Sequence, residues 1–74
     1  MAELTVHEFE VLAKILRSAE PVKTAAGMVL TEGRSVAEAV AATGLLQPSV
    51  SRTVKRFRVA QAQILTAYDR RNKT

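Results

Sequence analysis

Signals that start and stop α-helices recur along this chain at short intervals, and they constrain its fold more than any other feature. Thr5 and Glu8 have the spacing of a capping box, and so do Ser35 and Glu38. Glycines follow two of the predicted helices, and each proline stands where a helix can begin. The β-branched residues are scattered and form no alternating run. The sequence therefore predicts an all-α fold.

Apolar periodicity between these signals predicts a small bundle of four to five helices. The first helix is expected from about residue 6 to 18, the second from Pro21 to near Glu32, and the third from Ser35 to Gly44. Pro48 then restarts the helix at its first position. The last stretch is predicted either as one long helix or as two. In the second case the bend falls near Phe57 or Arg58.

The chain length limits what the core can supply. Its 74 residues form one predicted domain, 1–74, and a domain of about this size buries only about 60% of the surface exposed by the unfolded chain. The sequence has no cysteine, so neither a disulfide nor a thiolate metal site can add stability. Dimerisation is the remaining ordinary route, and we therefore expect a homodimer.

Charge is distributed unevenly between the two parts of the chain. Residues 1–46 hold four basic and six acidic side chains, a net charge of −2, whereas residues 47–74 hold seven basic and one acidic, a net charge of +6. Such an asymmetry is expected of a protein that offers one basic surface to a polyanion. It is equally compatible with a solvated basic helix, so charge alone does not decide between the two.

Residues 35–57 have the pattern of a helix-turn-helix. Gly44 enters a tight turn between two short helices, where a positive φ suits glycine. Ala39 and Ala42 are small enough to let the second helix cross the first closely. Val50 and Val54 are four residues apart and place the inner face of the second helix on the core.

The outer face of that second helix carries side chains suited to DNA. Glutamine and arginine form bidentate hydrogen bonds with base edges, and short hydroxyls permit close approach. The residues predicted to contact bases are Gln47, Ser49, Ser51 and Arg52. Basic side chains further along come within reach of phosphates. The residues predicted to contact phosphates are Lys55, Arg56 and Arg58, with Arg34 and Lys23 from neighbouring elements.

Several short matches point to a known family. They are Leu4-Thr5 before Phe9, Val29-Leu30 before Gly33, Ala42-Thr43-Gly44-Leu45, and Val50-Ser51. Residues 4 to about 62 thereby resemble the DNA-binding domain of the plasmid repressors called KorA or TrfB. The resemblance implies a dimeric repressor that binds a palindromic operator, with major-groove contacts from the residues matching Gln47 and Arg52. Neither position carries the family's better-known residue, so the operator sequence does not carry over.

The longer members of that family continue into a separate carboxy-terminal dimerisation domain, whereas this chain resembles the compact ArdK type. We therefore expect the dimer contact to come from the helical body, in the C-terminal helix over residues 58–70. Apolar residues there exceed the needs of one small core; they are Val59, Ile64, Leu65 and Tyr68. The alternative is that these side chains fold back onto the first helix.

Other classes of function find no support in the sequence. His7 is the sole histidine, and without cysteine it lacks the companions of a typical transition-metal site. Ser49 and Ser51 have no adjacent base to activate a nucleophile. We expect no catalysis, no cofactor and no small-molecule ligand. No apolar run is long enough for a membrane span, and the first residues lack a secretory signal, so we expect a cytoplasmic bacterial protein.

The sequence thus predicts a transcriptional repressor that binds double-stranded DNA sequence-specifically as a homodimer. The alternative, from another class, is a helical protein-interaction module, either an adaptor or an inhibitor. Its basic face would bind an acidic protein partner instead of DNA.

Overall fold

The computed structural model describes the backbone of residues 2–72 and the side chains of residues 2–67. It contains four helices: α1 (Val6–Leu16), α2 (Val22–Glu32), α3 (Val36–Thr43) and α4 (Gln47–Asn72). No strand occurs among residues 2–72, so the predicted all-α fold is confirmed. The last stretch is one continuous helix, which decides between the two alternatives for residues 47–72. No helix in the described part is long and apolar enough to cross a membrane.

Both predicted capping boxes are present. The Thr5 hydroxyl accepts from the Glu8 N–H at 3.1 Å, and the Glu8 carboxylate accepts from the Thr5 N–H at 2.9 Å. Ser35 and Glu38 make the same reciprocal pair at 3.1 and 3.0 Å. These bonds satisfy backbone donors that a helix start leaves unpaired, and they hold the pKa of both glutamates below its usual value.

The boundaries of three helices differ slightly from the prediction. α1 ends at Leu16, not near residue 18, because Arg17 adopts a left-handed conformation that stops the helix. α2 begins after Pro21, and the Glu20 carboxylate accepts from the Thr24 N–H at 2.9 Å in its first turn. α4 begins one residue before Pro48, whose missing N–H costs nothing in a first turn.

Two stacked phenylalanine rings form the centre of the core. The rings of Phe9 and Phe57 have centroids 4.8 Å apart and planes inclined by 13°. Gly27 lets α2 approach them, since a Cβ there would lie 3.3 Å from the Phe9 ring. Further buried side chains come from all four helices and from the segment before α1; among them are Leu4, Leu12, Ala25, Ala26, Leu30, Ala39, Val50 and Val54.

α3 and α4 meet across the three-residue turn 44–46. Gly44 has φ 72°, as its predicted role requires, and Leu45 packs against the core. Ala39, Val50 and Val54 are each no more than 1% exposed. The inner face that the sequence assigns to α4 is therefore buried, which leaves the opposite side of α4 in solvent. In α3 only Ala39 is buried at the crossing; Ala42, predicted there with it, is exposed.

α1 lies across α4, and two arginines of α4 contact the end of α1 and the segment before it. Arg56 donates from Nη2 to the backbone oxygen of Leu16 at 3.3 Å. Arg58 contacts the Glu3 carboxylate, with Nε 3.0 Å from Oε2. The backbone N–H of Glu3 in turn donates to the Leu30 oxygen at 2.9 Å. These contacts accompany the packing of α1 against α4, which is centred on the Phe9–Phe57 stack.

Replacing Gly44 by valine is expected to lower the free energy of unfolding by more than about 1 kcal/mol, because a β-branched side chain is poorly tolerated at positive φ. A Cβ at Gly44 would meet no atom within 4 Å, so the expected penalty comes mainly from the backbone conformation. Asparagine tolerates this conformation better and should cost less. Urea denaturation of the three proteins measures the order, and equal stabilities would contradict the assigned turn.

Candidate nucleic-acid interface

The outer side of α4 opposite the core is defined by helix geometry. Arg52 lies two residues from both Val50 and Val54, which places it about 160° from each around the helix axis. Because both valines are buried, Arg52 points away from the core, and it is exposed. We call the exposed side of residues 47–56 the outer face. It comprises Gln47, Ser51, Arg52, Lys55 and Arg56, with half-buried Ser49 at its edge.

The predicted base-contacting residues lie on two separate flanks of this outer face. Gln47 and Ser51 are four residues apart and share one flank. Ser49, Arg52 and Arg56 have the spacing i, i+3, i+7 and share the other. The exposed side chain of Lys55 lies between the flanks. The structure therefore places the four predicted base-contacting residues within the first two turns of α4, with Gln47 about 140° around the helix axis from Arg52.

Two cations of the outer face have no partner among the described side chains. Among the side chains of residues 2–67, neither Arg52 nor Lys55 makes an ion pair or a hydrogen bond. Arg56 differs, because its guanidinium donates to the last turn of α1 at Leu16. Within residues 47–67 of α4, the uncommitted positive charge is thus concentrated on the outer face, where a polyanion could reach it without breaking any contact.

The other predicted phosphate-contacting residues are held by carboxylates. Arg58 pairs with Glu3. Arg34 Nε lies 2.9 Å from Glu32 Oε1, and Lys23 Nζ lies 3.1 Å from Glu10 Oε2. All three pairs are solvent-accessible. Exposed pairs of this kind contribute little to stability, so a phosphate can replace the carboxylate at small cost.

The Glu3–Arg58 pair is the most complete of these. Hydrogen bonds from Arg58 hold the pKa of Glu3 below its usual value of 4.5, and the same contact raises the pKa of Arg58. The pair's stabilising effect is therefore present at neutral pH and is lost as the pH falls through the lowered pKa of Glu3. The sequence could not reveal this pair, since its members are 55 positions apart.

Residues 4–71 match the KorA family, described as TrfB plasmid transcriptional repressor. The chain belongs to the KorA family. The match includes the whole of α1–α3 and nearly all of α4, so it covers the outer face and confirms the family suggested by the sequence. Membership indicates a regulator of plasmid transcription. Among curated proteins and solved structures, none is significantly similar to this chain.

The apolar residues predicted as the dimer contact of this KorA-family protein fall on different sides of α4. Ile64 and Leu65 line a groove with Leu4, Val11 and Leu12, and they are 46% and 57% exposed. Both residues border α1, as predicted by the alternative in which these side chains fold back onto the first helix. About half of each residue nevertheless remains exposed. We call this the α1–α4 groove.

Val59 lies elsewhere. It continues the outer face and borders a shallow hollow with Arg52, Lys55 and Arg56. The fourth predicted dimer residue, Tyr68, lies outside the described side chains. The sequence analysis missed Val11 because this exposed valine stands off the buried stripe of α1 that contains Phe9 and Leu12.

Proposed function

We propose that this KorA-family protein is a repressor that binds a palindromic operator sequence-specifically as a homodimer. The observation that carries the proposal is the outer face of α4, where Arg52 and Lys55 are exposed and have no protein partner among the described residues. The face belongs to the second helix of a pair joined through the left-handed Gly44. That arrangement has the organisation of a helix-turn-helix with α4 as its recognition helix.

The first two turns of α4 would enter the major groove. An α-helix with its side chains is about 10–12 Å across and fits a groove about 12 Å wide. Gln47 and Arg52 would make bidentate contacts with adenine and guanine, while Ser49 and Ser51 allow close approach. Lys55 lies one turn later and would meet a phosphate. The start of the helix would therefore read the base sequence, and the next turn would fix the position of the protein on the duplex.

The carboxylate-held cations would add phosphate contacts at the rim. Arg58, Arg34 and Lys23 each exchange an exposed glutamate for a phosphate in this proposal. Arg56 keeps its bond to Leu16 and offers its remaining donors. Glu3 in particular would compete with DNA for Arg58, which makes it a negative determinant of affinity.

Replacing Glu3 by glutamine is expected to raise affinity for random-sequence DNA about two- to tenfold, because Arg58 becomes free for a phosphate contact. Fluorescence anisotropy with a labelled duplex at fixed salt measures the change. Glu20→Gln removes the same charge but frees no cation among the described residues, because the Glu20 carboxylate accepts from Thr24 and forms no ion pair, so it serves as the control. Equal affinity of Glu3→Gln and the unaltered protein would show that Arg58 contacts no phosphate.

The α1–α4 groove is the proposed dimer contact, with a second copy of the chain as its occupant. Val11, Ile64 and Leu65 are each more than 40% exposed there, and a small core gains from covering them. A contact at this groove leaves the outer face free for DNA. A contact through Val59 would instead bring the partner against Arg52 and Lys55.

Replacing Ile64 by aspartate is expected to shift the protein at micromolar concentration from dimer to the 8.1 kDa monomer, because burying an unpaired carboxylate at the contact is costly. Sedimentation velocity measures the mass, and circular dichroism checks that the helices persist. Val59→Asp is the matched control, since Val59 has similar exposure on the other side of α4 and should leave the dimer intact. A monomeric unaltered protein would contradict the dimer.

Gel mobility shift at two salt concentrations tests the function itself. A DNA-binding repressor retains random DNA weakly, with a steep salt dependence, and retains one palindrome far more strongly. An adaptor for an acidic protein would select no DNA sequence. Failure to find any selected sequence in the native replicon would therefore favour the adaptor.

A further inference from the structure

The three helices before α4 all end at a left-handed residue, but they do not use the same residue type. α2 and α3 end at Gly33 and Gly44, with φ 73° and 72°, whereas α1 ends at Arg17 with φ 53°. A side chain with a Cβ is disfavoured in this conformation, and glycine is the residue most often found there. Backbone geometry therefore does not explain why an arginine stands at the end of α1.

The helix dipole supplies part of a reason, because a cation near a helix C-terminus is favoured. Lys14 already provides that charge in the last turn of α1. Arg17 is exposed, and among residues 2–67 its side chain makes no ion pair or hydrogen bond. Its guanidinium is therefore available to a ligand.

The end of α1 borders the outer face of α4. Leu16 accepts a hydrogen bond from Arg56 and lines a hollow with Arg52, Lys55 and Arg56. Arg17 follows Leu16 directly, so its backbone lies beside the Leu16 oxygen that Arg56 contacts. The end of α1 thus brings the backbone of a further cation to the edge of the proposed DNA surface.

We propose that Arg17 binds a phosphate of the DNA backbone beside the groove that α4 enters. This inference rests on the proposed function, because it assigns a further residue to the same interface. A guanidinium suits the role, since its fork of donors matches two phosphate oxygens. A glycine at position 17 would also suit the left-handed end of α1, but it would supply no cation beside the flank of Arg52 and Arg56.

The test compares random-duplex binding by the full chain carrying Arg17→Gly with binding by the unaltered protein, across a series of salt concentrations. Loss of one phosphate contact should reduce the slope of log affinity against log salt by about 0.9 and weaken binding on the order of tenfold near 0.1 M salt. The melting temperature should not fall, because glycine suits the left-handed position. Arg17→Lys should keep most of the slope.

Lys14→Gln is the matched control. It removes the same charge from the same helix, but Lys14 lies about 4.5 Å along the helix axis before Arg17 and is farther from the Leu16 oxygen that Arg56 contacts. Its slope should equal that of the unaltered protein. The inference is overturned if Arg17→Gly leaves the slope unchanged, or if Lys14→Gln lowers it equally. If the unaltered protein binds no DNA, the proposed function fails and the inference fails with it.

Discussion

Replacing Phe57 by alanine is expected to lower the free energy of unfolding by about 3–5 kcal/mol, the cost of removing a large buried ring. Phe57 is 1% exposed and stacks on Phe9 at 4.8 Å, where α1 crosses α4. A domain of this size has a total stability of about 4–11 kcal/mol, so the variant should lose much of it. Urea denaturation followed by circular dichroism, at one fixed protein concentration, measures the loss.

Val59→Ala provides the control for Phe57→Ala. Val59 lies two residues further along α4 and is 47% exposed, so its truncation should cost no more than about 0.5 kcal/mol. A cost below about 1 kcal/mol for Phe57→Ala would mean that the stacked rings are not the centre of the core. The position of α1 across α4 would then need revision.

Arg52→Ala is expected to weaken operator binding by about 1–3 kcal/mol, or roughly 5- to 150-fold, while leaving random-DNA binding nearly unchanged. The reason is geometric: Arg52 points away from the core within the first two turns of α4 and has no protein partner among the described residues. Titration of both duplexes by fluorescence anisotropy measures the two affinities side by side.

Lys55→Ala should show the opposite pattern. As a phosphate contact, Lys55 should contribute to every sequence alike, so its loss weakens operator and random DNA equally and lowers the salt slope by about one unit. If Arg52→Ala also lowered both affinities equally, Arg52 would be a phosphate contact. The register proposed for the recognition helix would then be wrong.

Local features of the fold could be predicted because their causes are local. The caps at Thr5 and Ser35 depend on a residue three positions away, and the left-handed Gly44 depends on its own missing Cβ. The inner face of α4 could be predicted at Val50 and Val54 because residues four positions apart lie on the same side of a helix. Both valines are buried.

The contacts that join distant segments could not be predicted. Nothing near Arg58 in the sequence indicates Glu3, and nothing near Arg56 indicates the end of α1. The end of α1 at Arg17 was also missed, because arginine gives no signal for a left-handed turn. These features depend on how α1 crosses α4, which is a property of the packed helices.

The placement of Val59 and Ile64 on different sides of α4 could be predicted only in part. Five residues correspond to about 140° around a helix, so continuous α4 geometry is enough to place them on different sides. The sequence left open whether α4 bends near Phe57, and a bend would have allowed both to share one surface. Continuity of α4 over Gln47–Asn72 removes that possibility.

Selection of fragments of the native replicon by the purified protein, followed by footprinting of the fragment bound most tightly, tests the central proposal most directly. A dimeric helix-turn-helix repressor predicts a protected palindrome whose half-sites are centred about one helical turn, 10–10.5 base pairs, apart or a multiple of it. It also predicts that Arg52→Ala abolishes the protection at a concentration where Val59→Ala retains it. Uniform, weak protection without any symmetric site would contradict sequence-specific binding by a dimer.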